Sequence, residues 1–161
     1  MANFGNSSKA RLQTLCPELV AVAYDSIVVT DFSVIETARG KPQQDHYVAI
    51  GASTVEWPDS KHNVHDGRPL PEAMDLWPYV PAFGALSGHP DQIAEIADKT
   101  GRSVAEVQAF VLKAFARLAG VVETCAIERG HKIRWGGDWD GDGNLLDQNF
   151  HDLPHFELIR G

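Results

Sequence analysis

Two groups with the chemistry of a hydrolytic site stand three residues apart near the end of the chain: a carboxylate at Asp152 and an imidazole at His155. They lie in residues 131–159, a stretch holding five aspartates, three histidines and two tryptophans between two short apolar runs. Such a pair at the lip of a predicted strand suits a metal ion and the base that works beside it. A catalytic zinc needs about three protein ligands and one open position, so two more must come from elsewhere. His62, after the turn-rich Asp59-Ser60-Lys61, and Asp75, in Glu72-Ala73-Met74-Asp75, are the best matches. Taken singly, each reads as an ordinary surface residue; only the conjunction points to a site.

The rest of the chain must supply a scaffold for them. Its 161 residues suffice for one domain with a real core, and 43% apolar with 22% charged residues is normal for a globular protein. A formal charge of −8 without a basic stripe argues against nucleic-acid binding. No apolar run is long enough to cross a membrane, and the N-terminus lacks a basic run followed by an apolar one. The expectation is a cytoplasmic protein that stays there unless something else releases it. Cys16 and Cys125 sit on apolar stretches without CxxC spacing, which predicts buried free thiols.

Residues 6–23 read as helical, with Ser7 or Ser8 as N-cap and Pro17 opening a second short helix. Residues 27–35 are β-branched and aromatic and predict a strand, ending at polar residues 36–40. Residues 43–50 suit a short helix closed by Gly51. Residues 52–81 have loop composition, with a short strand at 73–78 carrying Asp75. Residues 91–99 predict a small helix. Ser103 and Glu106 form a capping box, followed by apolar residues at three- and four-residue steps from Val104 to Cys125 and a stop at Gly130. Residues 131–135 and 156–159 predict two antiparallel strands joined by the aspartate loop. The fold class expected is α+β: one domain over residues 1–161, a small antiparallel sheet packed against helices, and the zinc site at the sheet edge.

The order Thr37, Arg39, Gln44, Gly51-Ala52-Ser53, Ser60-Lys61-His62, Ala73-Met74-Asp75-Leu76-Trp77-Pro78, Trp135-Gly136-Gly137-Asp138-Trp139 and Asp152-Leu153-Pro154-His155-Phe156-Glu157-Leu158 resembles the zinc peptidoglycan peptidases. These include D-alanyl-D-alanine carboxypeptidases and dipeptidases and the phage L-alanoyl-D-glutamate endopeptidases. The likeness spans nearly the whole chain and is similar to single-domain phage endolysins. It implies His62, Asp75 and His155 as zinc ligands, Asp152 as general base and Arg39 as the cation facing the oxyanion. In that scheme zinc acidifies water, Asp152 takes the proton, and Arg39 offsets the charge growing on the carbonyl oxygen. Pro154 is expected to hold Leu153 extended and fix the angle between base and ligand. One departure stands out: the family spacing from first histidine to aspartate is short, whereas residues 63–72 intervene here. His65 lies inside that insertion and competes for the ligand role; the Ser-x-His context favours His62.

Asp138, Asp140 and Asp142, followed by Gly143, open like a calcium loop. The twelfth position is Asn149 where such a loop needs a glutamate, and Asp147 stands at the tenth. A solvated polar turn and a calcium site both fit. The function expected is a monomeric zinc endopeptidase cutting peptidoglycan stem peptides at the L-alanyl–D-glutamate bond, reaching the wall through a separate membrane lesion. The alternatives are a D-Ala-D-Ala carboxypeptidase or dipeptidase, and a non-catalytic wall-binding or virion domain. Retention of both Asp152 and Arg39 argues against the last, since a structural site needs neither a base nor an oxyanion cation.

Overall fold

The computed structural model describes residues 2–161. In chain order it contains α1 (Asn6–Leu12), α2 (Pro17–Val29), β1 (Phe32–Glu36), α3 (Lys41–Ala49), β2 (Ala73–Val80), β3 (Gly84–Ala85), α4 (Pro90–Thr100), α5 (Val104–Glu128), β4 (Lys132–Trp135) and β5 (His155–Ile159). The sheet is antiparallel with order β1-β2-β5-β4, and β3 adds a short hairpin to β2. This is the expected α+β architecture.

The sheet has two chemically opposite faces, and strand alternation makes them. Met74 and Leu76 on β2, Phe156 and Leu158 on β5, and Ile133 and Trp135 on β4 are buried on the face that meets the helices. Against them pack Phe115, Leu118 and Val122 from α5, and α2 packs on α5 with Leu19, Val22 and Ala23 in the same core. Burying a side chain the size of Phe156 contributes about 1.5–3 kcal/mol. The alternate positions, Asp75, His155, Glu157 and Arg134, fall on the other face. Register sets their neighbours: Asp75 lies opposite His155, and Arg134 opposite Glu157.

Helix α5 begins where the sequence predicts, with Ser103 and Glu106 in a reciprocal capping box. Both cysteines are buried and free. Two expectations change. Residues 27–29 belong to α2 rather than to a strand, because Leu19, Val22, Ala23, Ser26 and Ile27 form one buried helical stripe. That stripe outweighs the β preference of Ile27, Val28 and Val29, the last two remaining on the exposed side. The α1 N-cap is Gly5, not Ser7 or Ser8; Ser8 is buried instead, and its Oγ accepts the Val34 N–H at 3.1 Å. Among the described residues no helix is long and apolar enough to cross a membrane.

Candidate metal centre

Asp75 and His155 reach the polar face of the sheet from adjacent strands, whereas His62 comes from a loop and needs more support. Its backbone carbonyl accepts the Arg39 N–H at 2.9 Å, so the segment after β1 runs alongside the loop. Ser60 Oγ accepts the His62 N–H at 3.3 Å, which accounts for the Ser-x-His pattern. Asn63 is fully buried and donates to Gln44 Oε1 at 3.0 Å, and Gln44 donates to Ser53 Oγ at 3.0 Å. This chain of amides ties the loop to α3. Residues 63–72 leave and return through Lys61 and Glu72, joined at 2.7 Å. His65, inside that interval, caps its own turn by accepting the Gly67 N–H and stands against Trp57, away from Asp75 and His155.

Three ligand atoms converge. His62 Nε2 lies 3.1 Å from both Asp75 Oδ1 and His155 Nδ1, and His155 Nδ1 lies 3.3 Å from Asp75 Oδ1. The remaining ring nitrogens are occupied: His62 Nδ1 donates to the Thr37 carbonyl at 2.8 Å, and His155 Nε2 to Glu157 Oε2 at 3.1 Å. In the neutral tautomers that these outer bonds select, the inward atoms carry the lone pairs. Ligands on a tetrahedral ion with bonds of about 2.0–2.2 Å sit about 3.3 Å apart, so the donor set fits a zinc-sized ion. Imidazole nitrogens and a carboxylate oxygen are also the right chemistry for it.

The charges are tightly coupled. Burial pushes Asp75 up, but the His62 ring and the hydrogen bonds from both histidines outweigh it and hold the carboxyl well below the usual range. Burial pushes the His155 imidazole down, yet hydrogen bonds to Asp75 and Glu157 raise it to about 9. Glu157 is likewise raised by burial but brought down to about 2 by its bonds to His155 and Arg134.

Asp152 sits at the start of a turn closed by the His155 N–H on the Asp152 carbonyl at 3.0 Å, with Leu153 and Pro154 in the middle of the turn. Burial, followed by the nearby Asp75 carboxylate, pushes its carboxyl up. Arg39 is buried, with Nη1 donating to Gln44 Oε1 at 3.0 Å, Nη2 to Glu36 Oε2 at 2.6 Å, and its guanidinium 4.5 Å from the Tyr47 ring centre. An irregularity between Val34 and Glu36 in the β1–β2 pairing turns Glu36 toward it. Arg39 Nε is buried without a partner among the described residues. Arg39, His62, Asp152, His155, Arg134 and Trp139 line one cleft of about 470 Å³.

The sequence-predicted residues His62, Asp75, Asp152, His155 and Arg39 thus meet at one place. Sequence reasoning overlooked Glu157, Arg134, Glu36 and the Thr37 carbonyl. The period-two spacing of His155 and Glu157 was a usable signal for the first of these; the others depend on pairing that no local pattern reveals. In the aspartate loop, oxygens of Asp138, Asp140 and Asp142 lie within 4.8 Å of one another. Each carboxylate also accepts a hydrogen bond from within the loop: Asp138 from the Gly141 and Gly143 amides, Asp140 from Gln148 and Asp142 from Asn144.

A family model described as phage L-alanyl-D-glutamate peptidase matches residues 1–87 and 105–159. The chain is 27% identical over 162 aligned residues to the L-alanyl-D-glutamate peptidase of Escherichia phage T5, covering 97% of each chain. It is also similar to the crystal structure of Serratia marcescens L-Ala D-Glu endopeptidase ChiX. That match has a TM-score of 0.63 at 25% identity, covering 97% of this chain and 89% of the other.

Proposed function

The chain belongs to the phage L-alanyl-D-glutamate peptidase family, and from that premise we propose that it is a zinc-dependent endopeptidase of peptidoglycan stem peptides that cuts the L-alanyl–D-glutamate bond. The observation that carries the metal dependence is the triangle of three lone pairs, 3.1–3.3 Å on a side, formed by His62, Asp75 and His155. These three residues would hold the zinc ion. When bound, zinc supplies Lewis acidity, bringing the pKa of water toward neutral and polarising an amide carbonyl.

The chain's own residues do the rest. Asp152 takes the proton of the attacking water on its carboxylate and later hands it to the departing amine. Burial and the Asp75 carboxylate push its carboxyl up, and a more basic carboxylate accepts the proton more readily. Arg39 is the cation for the carbonyl oxygen as negative charge grows there. Glu36, Gln44 and Tyr47 hold its guanidinium in advance, so little reorganisation is needed at the moment of reaction. The cleft that holds these groups is roomy enough for a peptide backbone.

In this reading the protein is a phage endolysin, monomeric, made in the host cytoplasm and delivered to the wall through a lesion made by another component. Digestion of purified peptidoglycan with added zinc, followed by mass spectrometry of the muropeptides, is the test. New N-terminal D-glutamate, lost with chelator and restored by zinc, is expected. Released D-alanine instead would move the chain to the carboxypeptidases, and intact muropeptides would leave a wall-binding domain. The aspartate loop is satisfied as a solvated turn by its own amides and is also compact enough to share a calcium ion. A thermal-shift titration separates the two: a calcium-dependent rise lost in Asp140→Asn assigns the ion, and a flat response assigns the turn.

A further inference from the structure

We propose that Glu157, braced by Arg134, is the positioning residue of this centre and fixes His155 so that Nδ1 is the atom offered to the metal. The proposal rests on the reading of His155 as a ligand and concerns how that ligand is prepared.

A neutral imidazole offers one lone pair, and the partner of its other nitrogen decides which atom carries it. An ionised carboxylate only accepts hydrogen bonds, so Glu157 Oε2, 3.1 Å from His155 Nε2, requires the proton on Nε2. Nδ1 is then bare, and it faces His62 Nε2 and Asp75 Oδ1. Residues 155 and 157 share a strand face, so the contact follows from β5 itself. Glu157 is 6% exposed, and a buried carboxylate stays ionised only when it is paired. Arg134, directly opposite on β4, pairs it by donating from Nε to Oε1 at 2.9 Å and from Nη2 to the same oxygen. The Arg134 guanidinium also lies 5.5 Å from the Trp139 ring centre, and that ring stands 5.5 Å from His155. The second histidine differs: His62 is oriented by the Thr37 backbone carbonyl, which no side-chain substitution removes. Glu157 is therefore the position through which the basicity and orientation of a ligand can be changed.

The test measures zinc affinity by chelator competition for the wild type, Glu157→Gln, Glu157→Ala and Arg134→Met, with His155→Ala as reference. Nitrogen-15 NMR of the zinc-loaded proteins reports the His155 Nε2–H. Glu157→Ala is expected to weaken zinc about 10–100-fold and to shift the Nε2–H signal away from its hydrogen-bonded position. Glu157→Gln, whose amide oxygen still accepts, loses less and carries the test if the alanine variant does not fold. Arg134→Met loses affinity without touching a ligand. Unchanged zinc affinity in the Glu157 and Arg134 variants, beside lost binding in His155→Ala, would show that Glu157 merely packs and overturn the proposal. Wild-type affinity in His155→Ala would overturn the ligand reading itself, and this proposal with it.

Discussion

Gly136 and Asp152 lie back to back: the Asp152 N–H donates to the Gly136 carbonyl at 2.8 Å, while the Gly136 N–H donates to the His155 carbonyl at 2.8 Å. A Cβ on Gly136 would overlap the Asp152 carbonyl oxygen and stand 3.0 Å from Asp152 Cβ. A Cβ on Gly137 would overlap the Trp135 ring. The two glycines are needed for close approach, not for an unusual φ. Gly136→Ala is expected to displace Asp152, the proposed base, by about an ångström and cost about 100-fold in kcat, with about 1–3 kcal/mol of stability lost to overpacking. Steady-state hydrolysis and a thermal melt check this; wild-type kcat would refute it.

Asp152→Asn keeps the shape and removes the proposed base. Hydrolysis is expected to fall about 10²–10⁴-fold, with zinc content by plasma emission unchanged. Burial and Asp75 disfavour the charged Asp152 carboxylate, so the neutral amide should also raise the melting temperature of the metal-free protein at pH 7. Zinc loss in this variant would mean that Asp152 is a ligand.

His62→Ala and His65→Ala separate the two histidines of the long loop. The first is expected to abolish stoichiometric zinc and activity together. The second, whose ring caps a turn away from Asp75 and His155, should keep both. Full zinc retention in His62→Ala would reverse the assignment.

The coupled charges give a pH signature that depends on the metal. In chelator-treated protein His155 sits at about 9, above its unfolded value of about 6.5. Its contribution is fully present below pH 6.5 and is lost as pH rises through 9. Asp75 and Glu157 are depressed, Glu157 to about 2, so their contributions are present above the ordinary carboxylate range of about 4 and fade below it. Metal-free melting temperature should therefore be highest between about pH 4 and 6.5 and fall on the alkaline side. With zinc bound, His155 is neutral and that alkaline decline should vanish. Parallel curves with and without zinc would exclude this linkage.

The legible parts of this molecule are those with local rules. The capping box at Ser103 and Glu106 and the apolar steps after it mark α5 within a residue. Asp75 between Met74 and Leu76, and His155 before Phe156, read as polar positions on half-buried strands. Residues 27–29 mislead because β-branched side chains carry the same composition on a helix, where only the stripe with Leu19 and Val22 decides. His62 is placed by Thr37, Arg39 and Asn63, partners up to 25 residues away. No periodicity could place it, and only motif likeness brought it into view. Glu36 needed a pairing irregularity to reach Arg39.

The excursion between β4 and β5, residues 136–154, is anchored at both ends by paired strands and by the Gly136–Asp152 bonds. In its middle Leu146 is 94% exposed, while the neighbouring Leu145 packs against the core. Because the strands fix the end-to-end distance, changing the length of that middle adds only about 0.6 kcal/mol of closure entropy per doubling. Length changes in its exposed part therefore leave the paired ends in place, and with them the bonds that join Gly136 to Asp152 and His155.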